Sequence, residues 1–409
     1  MSTAPNAALY DRVDLRREWQ YVSGVFAGSG VGYVQTAGAP VIGAALIEAG
    51  LSTQEVGDLG AIELATLAVT STAVMPMVTW VSHRRILVLG TLMAVVGLAI
   101  SIASEGLMTM VLGRVLTGGG SGLAFSGANA AVAARGDAER VFALIWTAGG
   151  AVTASLTFGL PFVAADGNYP VGFGVLLVLC LAGLPLMRWV PHAGAPVHGE
   201  TESAPDTPGA EAGEPAATLG AIFTPTAVLA LGGIFAYSMA EMALWNFSYH
   251  LPVEAGVPEE RVGAILSSTV LMGLAGGALA AWLGTSRGRL MPIVVGSLVS
   301  IAGRWLYIES STAEVMFLAG LLWGLGYYFV TPYQAGLLAA IDRTGRLAVT
   351  AGAATVFGFA LGPAVAGRML ESYDPSALLY IVAGGTALSL VLLLPLAIEV
   401  EQSSQGRVR

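Results

Sequence analysis

From Trp19 to Ile47 the chain runs without one charged side chain. That stretch is longer than the ~20 apolar residues a helix needs to cross a hydrocarbon layer about 30 Å thick. Runs of the same kind recur to the C-terminal end. Of the 409 residues 55% are hydrophobic and 11% charged, whereas soluble domains carry about a quarter charged residues. The bilayer is therefore the expected solvent, and an all-α membrane protein the expected fold class.

Charges and short polar loops mark twelve expected spans, at residues 19–47, 54–81, 86–104, 107–134, 141–165, 169–187, 219–251, 262–284, 290–308, 315–341, 347–369 and 376–398. They divide the chain into an N-terminal tail (1–18), a six-helix bundle (19–190), a linker (191–218), a second six-helix bundle (219–398) and a C-terminal tail (399–409). The linker is rich in Pro, Gly, Ala and Glu, with one Val and no other large apolar residue. Such a segment cannot bury enough surface to fold and is expected to be disordered. The first span is too long for a signal h-region, so no cleavable signal peptide is expected.

All 18 basic residues are arginine, and their placement predicts orientation. With the N-terminus inside, the inner segments hold fourteen of them, and the outer side holds Arg261 and Arg368. The tails and linker are then cytoplasmic, in a cell (inner) membrane. The net charge of −9 argues against nucleic acid as a partner. The single cysteine, Cys180, excludes an intrachain disulfide.

A repeat lies on top of this pattern. Residues 48–59, EAGLSTQEVGDL, return as residues 254–265, EAGVPEERVGAI, with five of twelve positions identical and an offset of 206. The offset also relates Gly118 to Gly324, Gly120 to Gly326 and Arg140 to Arg346. A register held this far predicts two structurally related halves.

Arg114 is followed at four-residue steps by Gly118 and Gly122 on the fourth span. Met75–Arg85 and Gly277–Arg289 each end in a basic cluster, and Gly358, Gly362, Pro363 and Gly367 lie on the eleventh span. Over most of its length the chain resembles the major facilitator superfamily (MFS). The resemblance implies two pseudo-symmetric six-helix bundles around a central cavity, and an arginine at position 114 that takes part in substrate or proton coupling. The loop after the second span lacks the family's glycines and aspartate. The family's antiporter glycine-proline motif belongs on the fifth span, which has only Gly159, Leu160 and Pro161.

Ionisable groups in hydrocarbon are costly and usually face a cavity or a partner. Three lie roughly 13–15 Å from a span end at 1.5 Å per residue, near the midplane: Glu63, Arg114 and Glu241. Their counterparts at the 206 offset are Thr269, Gly320 and Gln35, so packing shared by the halves does not explain them. Glu241 is the first candidate for the proton carrier, and also a candidate solute contact for a cationic group; Glu63 is the second candidate carrier. Arg114 is a candidate for holding an anionic group or tuning a nearby carboxylate, and structural ion pairing is the plainer alternative for all three. Arg304, roughly 7 Å from its span end, is close enough to snorkel to the surface, with a role in the cavity as the alternative. Asp58, Arg368 and His250, near span ends, are expected to be solvated.

Polar and aromatic residues on the first helix of each three-helix unit are candidate solute contacts: Tyr33, Gln35, Asn129, Tyr237, Trp245, Asn246, Trp323, Tyr327 and Gln334, with Thr36, Ser126, Tyr328 and Tyr333 beside them. The four histidines are scattered, and neither a metal cluster nor a nucleophile–base pair is apparent. The expectation is a secondary transporter, monomeric, without cofactor, surrounded by lipid, moving a small organic solute by alternating access with proton-coupled uptake. Proton-antiport efflux, ion-independent uniport and a non-transporting scaffold are the alternatives.

Overall fold

The computed structural model describes residues 7–133, 135, 138–164, 167–191, 224–285, 288–342 and 346–406. The helices are α1 (Ala7–Glu48), α2 (Thr53–Val74), α3 (His83–Ile102), α4 (Leu107–Ala133), α5 (Ala138–Gly159), a short α6 (Pro161–Ala164) and α7 (Tyr169–Gly183). They continue with α8 (Pro225–Trp245), a short α9 (His250–Glu254), α10 (Glu259–Leu283), α11 (Leu290–Glu309), α12 (Ala313–Ile341), α13 (Arg346–Ser372) and α14 (Leu378–Gly406). Single 3-10 segments extend α2 (Met75–Thr79) and α7 (Leu184–Trp189). Residues 192–218 of the expected linker lie outside the described residues.

Among the described residues, eleven helices are long and apolar enough to cross a membrane. The long helix missing from that set is α4. Arg114, Ser121 and the glycines at 118, 119, 120 and 122 lower its hydropathy, and they can because these positions are buried against protein. Three other boundaries depart from expectation. Helix α1 already runs through part of the expected tail, from Ala7. The fifth span is interrupted at Leu160, before Pro161. The seventh ends as a long helix at Trp245, with a turn over 246–249 before α9.

The 206-residue register holds in the packing. Gly50 and Gly256, equivalent positions of the repeated motif, both adopt positive φ, at 105° and 83°. That conformation is cheap only for glycine, and it turns the chain at both copies. Ser52 and Glu55 then form a capping box on α2, with Ser52 N–H donating to Glu55 Oε2 at 2.9 Å and Glu55 N–H to Ser52 Oγ at 3.1 Å. The other copy has Pro258 at that position and no side-chain cap. Helices α3 and α4 meet through Gly90 and Gly120, and α11 and α12 through Gly296 and Gly326. Gly118 of α4 touches the Glu63 carbonyl of α2, just as Gly324 of α12 touches the Thr269 carbonyl of α10. Such close backbone approach is how helices associate where lipid removes the hydrophobic drive.

Several close contacts between the two halves lie near the helix ends at Glu48, Glu105, Glu254, Glu309 and Glu371, the acidic face, and Gly150 of α5 meets Leu274 of α10 deeper in the spans. Gly57 of α2 lies against Pro363 and Gly367 of α13. Thr53 Oγ1 donates to Gly367 O at 3.2 Å and to Glu371 Oε2 at 2.8 Å. Arg368 and Asp58 pair at 2.6 Å, still part-exposed; each near a helix end, they are joined across the halves instead of separately solvated. Gly263 of α10 lies against the Thr157 and Phe158 carbonyls of α5.

A side chain at Gly120 would meet Gly90 O and the Ala94 backbone. Gly120→Leu should therefore cost about 3 kcal/mol or more, read as a lowered unfolding temperature in detergent. Gly106→Ala, with open space around its Cβ, should leave it unchanged.

Candidate functional site

Helix α8 is buried on nearly every side from Ala236 to Trp245. Gly358 and Gly362 of α13 and Gly385 of α14 bring backbone against it. The side chain of Glu241 reaches α11 and α12.

There the indole Nε1 of Trp323 donates to both carboxylate oxygens, at 3.1 and 2.9 Å. Arg304 Nη1 lies 3.7 Å from Oε2, and the Arg304 side chain is 0% exposed. Its Nε and Nη2 donate to Ser300 Oγ at 3.1 and 2.7 Å, and its guanidinium stands 5.5 Å from the centre of the Tyr237 ring. Tyr237 stacks on Tyr327 at 5.5 Å, and Tyr327 meets Tyr328 edge-on. Trp323 makes edge contacts with Trp245 at 6.0 Å and Tyr307 at 5.6 Å. A carboxylate, a guanidinium and six aromatic rings thus form one connected cluster.

Arg304 is the correction to the sequence reading. Its distance from the helix end fits snorkelling, but Gly296, Ser300, Gly303, Arg304 and Tyr307 form one buried face of α11. Gly303 holds that face against the Trp323 backbone, so the arginine points to protein and not to lipid. Serines and glycines at this helical spacing were a signal available in the sequence.

A second buried pair occupies the other half. Arg114 Nη1 donates to Glu63 Oε2 at 3.0 Å, and Nη2 to Ser101 Oγ at 2.8 Å. The Arg114 guanidinium lies 4.3 Å from the centre of the Phe173 ring. Arg114 therefore sits among α2, α3 and α7, with Glu63 as its partner, while Glu241 takes Arg304. Glu63 Oε1, Arg114 Nε and Arg304 Nη1 are buried without a hydrogen-bond partner among the described residues.

The remaining candidates are spread. Gln35, the counterpart of Glu241, is buried with neither amide atom bonded among the described residues, and Gln334 Nε2 is likewise unbonded. Gln334 lies roughly 16 Å along α12 from Trp323. Tyr33 meets Trp146 of α5 edge-on at 6.0 Å. Asn129 is half-buried on α4, one turn from Ser126, which donates to Ser71 O at 3.2 Å. Trp245 Nε1 donates across the halves to Thr36 O at 3.0 Å. Asn246, at the break after α8, lies beside Gly60 of α2. Tyr333 donates to Gly284 O at 3.0 Å, tying α12 to the end of α10.

At the same break, His250 Nε2 lies 3.5 Å from Glu254. Burial lowers its pKa below the usual histidine range, and Glu254 partly opposes this. A histidine held neutral in this way contributes stability above its ordinary range and loses it as the pH falls through its folded pKa. Among the described residues, no group of three or more His, Cys, Asp or Glu is placed to hold a metal.

The family model of the Major Facilitator Superfamily matches residues 24–349. The chain belongs to that superfamily of multi-pass membrane transporters, which is not a class of enzymes. No curated protein sequence matches it. Solved structures share its fold at low identity. One is a bacterial homologue of the human lysosomal transporter Spinster, inward-facing and unoccupied, with 15% identity, coverage of 94% of this chain and 95% of that chain, and a TM-score of 0.66. The nucleoside transporter NupG gives 13% identity, 92% and 98% coverage and 0.71. A peptide transporter, POT, in complex with alafosfalin gives 14%, 92% and 94%, and 0.65.

Removing one member of a buried ion pair strands the other, at a cost of about 3–5 kcal/mol. Arg304→Leu should lower the unfolding temperature in detergent, most sharply at alkaline pH, where Glu241 cannot escape the penalty by taking a proton. Adding Glu241→Gln should recover more than half of the loss, because the stranded charge is then gone.

Proposed function

We propose that this protein moves a small organic solute across the cell membrane by alternating access, coupled to proton uptake at Glu241. The observation that carries the reading is a carboxylate in the bilayer interior held by one loose ion pair and one indole. At 3.7 Å from Arg304, the charge is stabilised by about 4 kcal/mol at an effective dielectric of ~20. Withdrawing the carboxylate from water costs its charged form several kcal/mol in the opposite direction, so the two terms nearly offset and protonation can compete. Coupling follows if the protonated form and the solute favour the same conformation.

The arginines of the two tails and of the loops on the same side support an acidic face that looks outward, with both termini cytoplasmic. Closure at that face then supports an inward-facing state. Arg114 and Glu63 form the tighter pair of the N-terminal half, in the role of an internal brace with Glu63 as the second candidate for proton exchange. Tyr33, Gln35, Asn129, Asn246 and Gln334 are proposed as solute contacts. The unbonded amide of Gln35 and the unbonded Nε2 of Gln334 favour a solute rich in hydrogen-bonding groups, and the stacked Tyr237 and Tyr327 favour one with a flat ring.

The test uses proteoliposomes with an inward proton gradient and a panel of radiolabelled nucleosides and short peptides, since two of the structurally similar proteins are a nucleoside transporter and a peptide transporter. Gradient-driven accumulation of at least one solute is expected, and Glu241→Gln should reduce it at least tenfold. Full retention in the variant contradicts the role given to Glu241. A gradient that drives solute out points to antiport efflux.

A further inference from the structure

Helix α1 contains Pro40, which has no N–H to donate to the carbonyl four residues earlier, that of Thr36. The Thr36 carbonyl is therefore left without its usual helical donor. A bare carbonyl in a membrane interior costs free energy until something bonds it. Here the partner comes from the other half of the molecule, as Trp245 Nε1 donates to Thr36 O at 3.0 Å. Trp245 also stands one turn beyond Glu241 on α8, edge-on to Trp323, the residue whose indole binds the Glu241 carboxylate.

We propose that Trp245 is a positioning residue that transmits the charge state of Glu241 to the acidic-face closure, through a latch on the carbonyl that Pro40 frees. The inference rests on the role given to Glu241 above and adds the route by which that role acts. A proton added to the Glu241 carboxylate removes the negative charge that holds Arg304 and weakens its hold on the Trp323 indole, which is left with one neutral carbonyl acceptor in place of two charged oxygens. The Trp323 ring is then free to shift against Trp245. Trp245 Nε1 leaves Thr36 O, and the contact between α1 and α8 opens. The solute path gains an unbonded carbonyl and an indole N–H on opposite walls.

The other titratable and charged groups around Glu241 are Arg304 of α11, Tyr237 on α8 itself, and Tyr327 and Tyr328 of α12. Helices α13 and α14 present glycine backbone. His250 lies beyond the break, close enough to the latch to need its own control.

The experiment measures opening of the acidic face without any solute. Spin labels go on Gly106→Cys and Ser311→Cys, exposed loop positions of opposite halves, in a Cys180→Ala background. Distance distributions are recorded in nanodiscs between pH 5 and pH 8. In the otherwise unchanged protein, the long-distance population should grow as the pH falls. Glu241→Gln should show it at every pH. Trp245→Phe keeps an aromatic side chain but loses the indole donor, so it should raise the open population roughly two- to tenfold, as expected for one neutral hydrogen bond, and flatten the pH response. Pro40→Ala restores the helical donor to Thr36 O and should act in the same direction, more weakly.

If acidification and Glu241→Gln open the face while Trp245→Phe and Pro40→Ala leave the distributions unchanged, the latch is overturned and the role of Glu241 stands. If the pH response survives Glu241→Gln and disappears in His250→Asn, both are overturned. If Trp245→Phe opens the face while neither pH nor Glu241→Gln does, the contact holds the face shut but carries no signal from Glu241, and the proposed coupling fails.

Discussion

A charge cannot be left alone in hydrocarbon, and the arrangement of both halves answers to that requirement. Arg114 and Arg304 each meet a carboxylate, a serine hydroxyl and an aromatic ring within their own half. The two solutions differ in connectivity. One arginine projects from α4 to Glu63 of α2, and the other from α11 to Glu241 of α8. The ion pairs therefore occupy the N- and C-terminal halves without obeying the 206-residue register that the glycines keep. The glycine contacts hold the helices at backbone distance, and the charged clusters give each half its own polar interior.

The two pairs are not equivalent physically. At 3.0 Å, Arg114 and Glu63 share a direct hydrogen bond. At 3.7 Å, Arg304 and Glu241 do not, and the carboxylate relies on the Trp323 indole instead. A carboxylate whose closest donor is a neutral N–H loses less when it is protonated than one bonded to a guanidinium. That difference is why proton exchange is proposed at Glu241 ahead of Glu63, with the aromatic chain from Trp323 to Trp245 as its proposed route.

Much of the fold was legible because membrane helices announce themselves by length and by missing charge. The repeat was legible too, and the structure gives its reason. Gly50 and Gly256 stand where the chain must turn through positive φ, so the motif around them recurs. Hydropathy failed for α4 because a helix surrounded by protein has no need to be apolar. Position along a helix gives depth but not direction, which is why Arg304 reads as a snorkelling residue until its neighbours Ser300 and Gly303 are considered. The break after Trp245 and the pairing of Asp58 with Arg368 depend on contacts between distant parts of the chain, which no local pattern encodes.

The central claim is that Glu241 changes its protonation state in the folded, membrane-embedded protein. Infrared difference spectroscopy of the reconstituted protein, taken across an acidification step, reads the carbonyl stretch of a protonated carboxyl group directly. The account predicts such a band in the unsubstituted protein and in Glu63→Gln, and its loss in Glu241→Gln. An identical difference spectrum in Glu241→Gln would contradict it.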